Sequence, residues 1–271
     1  MSLIKSSELN SRVISAIVLT VSALASIWFG GIFFQAFWGL TAFICFFEWI
    51  SISMPGLRPI QYIIAGFVIF IVSRQNMVFS GSIIVSLAIS GIFIWFFSIE
   101  NRRVWAVSGL VYAALFAFSM TALRASPNAG LIAVIWLCSI VWLSDVAAFF
   151  CGRTFGGPKL MPKISPKKTW SGFLCGIAGG ILANFIVLYF AEIPAGWQHL
   201  VIAACLSIAA AIGDLLESAF KRHFGVKDSG SLIPGHGGVF DRADGLIAAS
   251  IIAAIIGFAC NPDPATGLLQ W

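Results

Sequence analysis

The chain has 271 residues, 59% of them hydrophobic and only 10% charged, with a mean hydropathy of +0.98. A soluble domain carries roughly 25% charged residues, so this composition excludes an ordinary water-soluble globule and points to a protein embedded in lipid. The net charge of +5 reads as membrane orientation plus anionic substrates, with no need for nucleic acid.

Apolar runs approaching 20 residues, the length that crosses a bilayer core of about 30 Å as a helix, recur along the chain. They predict about nine transmembrane helices, at 13–29, 31–53, 60–73, 78–99, 104–122, 130–151, 171–191, 198–219 and 245–260. The third and the ninth are short, and only Gly30 and Gly31 separate the first two. Backbone polar groups in lipid must be satisfied within the segment, and no alternating barrel pattern is present. The expected fold class is therefore all-α, a polytopic integral membrane protein. Lys5 and Arg12 precede the first run and Ala23-Leu24-Ala25 fits a cleavage pattern. The run continues through Trp28 and Phe29, however, so it reads as a span rather than a signal peptide.

Charge placement sets the expected orientation. With nine spans and a cytoplasmic N-terminus, the inner segments carry 14 of the 16 basic residues, and only Arg74 and Arg124 fall outside. That is the bias of the positive-inside rule. It places two polar loops, 152–170 and 220–244, in the cytoplasm. Residues 1–125 hold few ionisable groups and read as scaffold helices; residues 126–271 read as the catalytic region. Glu48 is the acid within the scaffold spans. An intramembrane acid is a functional candidate by default, but beside Trp49 near a span end it reads first as an anchor or a helix contact. The six cysteines are scattered without a CxxC pair and read as buried, inert thiols.

The polar residues of the second region begin with Asp145 in WLSDVAAFFCGR, where a carboxylate needs a polar cavity or a partner. Gly156, Gly157, Pro158, Pro162 and Pro166 then preclude a long helix, and Lys159, Lys163, Lys167 and Lys168 predict a flexible cationic loop. Such a loop can simply touch anionic headgroups. Ser165-Pro166-Lys167-Lys168-Thr169 at the mouth of a span adds ammonium groups, hydroxyls and a helix N-terminus, which together can cradle a phosphate.

Further on, Asp214, Glu217, Ser218 and Lys221 are spaced to share one helical face. Glu217 and Lys221 could be an ordinary surface pair, but Asp214 has no basic neighbour in sequence. The loop beyond supplies Lys227, Asp228, His236 between glycines, Asp241, Arg242 and Asp244. Either Asp241 or Asp244 can cap the last helix. Facing Asp214, the two acids would form a Mg²⁺ site, since magnesium favours one or two carboxylates with water and substrate phosphates.

The stretch S-x-x-K-R-x4-K-D-x-G-x2-I-P-x-H-G-G-V-x-D-R-A-D, Ser218 to Asp244, resembles the signature of phosphatidate cytidylyltransferases, also called CDP-diacylglycerol synthases. Its one departure is Ala243, where a larger apolar residue or Thr is usual. The SPKKT element and the Asp145 span resemble the family too, so the resemblance runs from about Leu131 onward; the first 125 residues match in hydropathy alone. It implies a multi-pass protein of the bacterial inner membrane, a homodimer, whose site faces the cytoplasm. It implies transfer of a cytidylyl group from CTP to phosphatidate, giving CDP-diacylglycerol and pyrophosphate, with Mg²⁺ and room for a second metal ion. On that resemblance Asp214 and Asp241 are the leading metal ligands, with Asp244, Asp228 and Glu217 as further candidates. Asp214, Asp241, His236 and Lys221 are expected to carry catalysis. Lys167, Lys168, Ser165, Thr169, Ser218, Arg222, Lys227, Arg242 and Asp145 are expected to bind substrate. A CTP-dependent polyprenol or phytol kinase would use similar loops, and a transporter could also hold Asp145 and Asp214 in the membrane. Transport, however, predicts polar residues towards both faces, and here they cluster on one.

Overall fold

The computed structural model describes residues 6–54, 59–73, 81–232 and 237–270. His236 lies outside the described residues, as do Lys5, Arg58 and Arg74. Helix follows helix: α1 (Ser6–Phe29), α2 (Gly31–Ser53), α3 (Pro59–Ser73) and α4 (Gly81–Phe97), then a 3-10 turn leading into α5 (Arg103–Ala125). The second region contains α6 (Gly130–Thr154), α7 (Trp170–Phe190), α8 (Trp197–His223), α9 (Phe240–Cys260) and the short α10 (Pro264–Leu269). The break between α1 and α2 falls at Gly30, whose φ of 62° is open to glycine at little steric cost.

Six helices among the described residues are long and apolar enough to cross a bilayer: α2, α5 with its preceding turn, α6, α7, α8 and α9. The chain is thus a multi-pass membrane protein by length and composition, with fewer qualifying helices than the nine expected. The shortfall lies in the scaffold. α3 has 15 residues, a rise of about 22 Å against a core of about 30 Å. α1 and α4 contribute the shorter apolar stretches Ile14–Phe29 and Leu87–Phe96.

α5 is the most enclosed span, with 72% of its apolar window buried. Ala106, Gly109, Ala113, Ala114 and Ala117 are all buried on it, so neighbouring backbones can approach closely. It packs against α2, α3, α4, α6 and α9. α6 and α7 meet through another small-residue stripe. A Cβ added at Gly172 would lie 2.8 Å from the Ala148 carbonyl, and one at Gly179 would lie 2.8 Å from that of Leu143. Cys45 and Cys138 are buried as expected, but Cys205 and Cys260 are exposed, on faces of α8 and α9 that no protein covers.

The expected flexible loop 152–170 is instead ordered around an antiparallel hairpin, β1 (Lys159–Met161) and β2 (Ser165–Thr169), pairing Lys159 with Thr169 and Met161 with Ser165. Prolines exclude a helix but tolerate edge strands, and a two-stranded ribbon consists only of edges. An isolated hairpin is marginal in water; this one is tied to α7. Trp170 N donates to the Pro158 carbonyl at 3.0 Å, Ser171 Oγ donates to the Gly156 carbonyl, and Thr169 Oγ1 caps α7 by accepting from Gly172 N at 3.1 Å.

Candidate active site

The close approach of α8 to α9 builds the site. A Cβ at Gly213 would lie 2.5 Å from the Asp244 carbonyl oxygen and 2.7 Å from Ala248 Cβ. The two backbones therefore touch where each carries an acid. Among the described residues, Asp214, Glu217 and Asp244 form a group that could hold a metal, with one oxygen from each within 4.8 Å of the others. Two unit charges at that distance repel by roughly 3 kcal/mol at an effective dielectric of 20. Three such repulsions draw a proton or a cation into the group.

Two lysines supply part of that charge. Lys168 Nζ, from β2, lies 2.5 Å from Asp214 Oδ2, a contact of charge without hydrogen-bond geometry. Lys221 Nζ lies 2.7 Å from Glu217 Oε2 and 2.7 Å from Asp241 Oδ1, so it is shared between two acids. Ser218 Oγ is 3.5 Å from Asp214 Oδ1, and Gly245 N donates to Asp244 Oδ1 at 2.8 Å. Glu217 is 3% exposed, and among the described residues its buried Oε1 has no hydrogen-bond partner. Leaving a buried carboxylate oxygen unpaired is unfavourable. An orphaned oxygen among converging carboxylates fits a hard divalent cation such as Mg²⁺ or Ca²⁺, which takes oxygen ligands.

Asp241 lies in a different setting. Besides Lys221 it accepts from Ser229 N at 3.0 Å and from Gly238 N at 2.9 Å, all through its two carboxylate oxygens. It therefore closes the loop before α9, while Asp244, three residues on, turns towards α8. The structure thus groups Asp214 with Glu217 and Asp244, and holds Asp241 on Lys221 beside them. Gly237, at φ 86°, permits this turn, since a Cβ there would also lie 2.8 Å from Asp241 Oδ2.

The other expected residues surround this centre. Asp145 on α6 is partly exposed and within electrostatic reach of Asp214, Asp244 and Lys168. Lys167 is exposed on the hairpin and Ser165 is half-buried. The Thr169 hydroxyl is committed to capping α7. Arg222, Lys227, Asp228 and Arg242 are exposed around the loop, Arg222 donating to the Val226 carbonyl at 3.3 Å. Glu48, expected as an anchor or helix contact, reaches this loop from α2. It accepts from Ser229 Oγ at 3.0 Å, Val239 N at 2.9 Å and Phe240 N at 2.7 Å. An acid in an apolar span was the available signal for it; its distant partners were not.

Known proteins share this chain's sequence over nearly its whole length. The model of the cytidylyltransferase family matches residues 10–260. Phosphatidate cytidylyltransferase of Brucella suis biovar 1 (strain 1330) is 38% identical over 264 residues, covering 95% of this chain and 96% of that protein. The protein of the same name from Staphylococcus haemolyticus (strain JCSC1435) is 32% identical over 241 residues, covering 86% of this chain and 93% of its own. Similarity therefore extends into the scaffold helices, well before Leu131.

Proposed function

This chain belongs to the cytidylyltransferase family, and we propose that its site uses CTP and phosphatidate to form CDP-diacylglycerol and pyrophosphate. The observation that carries the reading is the juxtaposition of Asp214, Glu217 and Asp244 with Lys168 and Lys221 at one end of a helix bundle. A phosphate oxygen of phosphatidate attacks the α-phosphorus of CTP; a new P–O bond forms as the bond to the β-phosphate bridge breaks, and pyrophosphate leaves. Phosphatidate is already anionic at neutral pH, so no protein nucleophile or strong base is needed. The protein's work is to align two repelling anions and offset their charge.

We assign Asp214, Glu217 and Asp244 to hold Mg²⁺, with Asp228 as a candidate for a second ion. When bound, Mg²⁺ neutralises charge on the phosphate oxygens and on the leaving pyrophosphate. Asp241 acts through Lys221 and the loop, holding the ammonium group beside Glu217. Lys167, Arg222, Lys227 and Arg242 bind phosphates at the exposed rim, and His236 donates to a phosphate or leaving oxygen. Asp145, Ser165 and Ser218 line the approach to Lys168 and Asp214. The enzyme works as a homodimer in the bacterial inner membrane with nine crossings and a cytoplasmic N-terminus. CTP then enters from the cytoplasm, and the lipid arrives from the bilayer.

Purified protein in detergent, given α-labelled CTP, phosphatidate and Mg²⁺, is expected to release unlabelled pyrophosphate and form a labelled CDP-lipid. Release of CDP with a phosphorylated alcohol, or no turnover with phosphatidate, would overturn the assignment.

A further inference from the structure

Glu48 is 1% exposed, on an α2 surrounded by hydrocarbon side chains. A carboxylate in that position is strongly unfavourable unless its oxygens are satisfied. Its three donors all come from the segment that closes the site: Ser229 Oγ and the backbone N–H groups of Val239 and Phe240. Val239 and Phe240 are the cap and first residue of α9, where helix N–H groups lack internal partners and the dipole favours a negative charge. Val239 itself provides no side-chain cap. The carboxylate on α2 therefore caps α9 from outside its own sequence neighbourhood.

The grip is close on both sides. A Cβ at Gly230 would lie 2.8 Å, and one at Gly238 2.5 Å, from the Glu48 carboxylate oxygens. Ser229 is held twice, its hydroxyl by Glu48 and its N–H by Asp241. The neighbouring Trp49 stacks on Phe220 of α8 with ring centroids 3.9 Å apart, and its Nε1 donates to the Trp105 carbonyl at 2.8 Å. Phe220 immediately precedes Lys221. Consecutive residues of α2 thus hold the start of α9 and the end of α8, the two elements that carry the acids.

We propose that Glu48 is a positioning residue for cytidylyl transfer. It touches no substrate, but clasps Ser229 and the start of α9 so that Asp241 and Asp244 stay in register with Lys221, Glu217 and Asp214. This inference rests on the cytidylyl-transfer reading of the site. The role requires a carboxylate. Glutamine has nearly the same size, yet it turns an NH₂ group towards donors, so at least one of the three N–H or O–H groups loses its acceptor.

The test compares full-length wild type, Glu48→Gln and Ser229→Ala in detergent. It measures kcat, KM for CTP, and backbone hydrogen exchange across 226–244. Misplacement of reacting groups by about 1 Å can lower a rate by about 10²-fold, so Glu48→Gln is expected to lose kcat on that scale while KM changes less than about threefold. Exchange at Gly238–Phe240 should rise at least about tenfold, with α5 and α6 unchanged. Ser229→Ala, which deletes one of the three bonds, should shift kcat and exchange the same way by less; it carries the test alone if Glu48→Gln does not fold. Wild-type kcat and exchange in either variant, or exchange rising uniformly over all helices, would overturn the proposal. If wild type were inert towards phosphatidate while loop exchange still depended on Glu48, the clasp would stand and the reaction assignment would fall.

Discussion

Two sets of carboxylates in this protein differ in how their oxygens are used. Glu48, Asp241 and Asp263 are saturated. Glu48 takes a hydroxyl and two backbone N–H groups, and Asp241 takes a lysine and two backbone N–H groups. Asp263 takes Ser126 Oγ at 2.6 Å, Thr266 Oγ1 at 2.7 Å and Ala265 N at 3.2 Å. Asp214, Glu217 and Asp244 instead converge on one another, and among the described residues a buried oxygen of Glu217 has no donor. The saturated acids fasten helices and loops. The converging acids leave negative charge pointing at a shared space, and that charge is available to a metal ion, which in turn attracts phosphates.

The comparison can be broken most severely at its charged centre. Asp214→Asn or Asp244→Asn removes a converging charge, at Asp214 together with its ion pair to Lys168 of β2. Turnover should fall by about 10²–10³-fold, the scale on which one preorganised electrostatic contact contributes, while detergent gel filtration shows a folded protein. Lys221→Met removes the cation shared by both sets. Glu217 and Asp241, with side chains 2% and 10% exposed, would then be left without their common partner. Loss of one member of a buried ion pair typically lowers stability by about 3–5 kcal/mol, to be read from the thermal unfolding midpoint. Gly213→Ala tests the contact that brings the converging acids together. Its methyl group meets backbone at 2.5 Å, and forcing it in should lower stability by about 1–3 kcal/mol with a parallel loss of activity.

The smallest effect belongs to Asp263, at the end of the bundle away from the acids. Burial alone would raise its pKa, but hydrogen bonds from Ser126, Thr266 and Ala265 prevail and hold it below the usual carboxylate value. A depressed folded pKa adds stability above the unfolded value, and this is lost as pH falls through the folded one. Asp263→Asn should therefore destabilise at neutral pH by about 1 kcal/mol, the usual worth of a helix cap. Its midpoint should converge with that of wild type as pH drops below about 4. Turnover should remain at the wild-type level.

Much of this was legible from local spacing, and the rest was not, for identifiable reasons. Helices follow from apolar length, and the shared face of Asp214, Glu217 and Lys221 follows from 3.6 residues per turn. The roles of Asp241 and Asp244 depend on where α9 begins. With Phe240 as the first residue, Asp241 folds back over the loop and Asp244 turns to α8; a helix start is uncertain by a residue or two from pattern alone. The SPKKT hairpin was hidden because short strands acquire their structure from a partner and from α7. Glu48 was visible as an acid in a span. Its bond to Ser229, 181 residues away, is a tertiary contact that no local pattern contains.

Manganese binding followed by electron paramagnetic resonance tests the central distinction most directly, since Mn²⁺ accepts the same oxygen ligands as Mg²⁺. Wild type and Asp263→Asn should each bind Mn²⁺ saturably, and the double variant Asp214→Asn/Asp244→Asn should lose that site while remaining folded. Undiminished Mn²⁺ binding in the folded double variant would contradict the assignment of these converging acids to a metal.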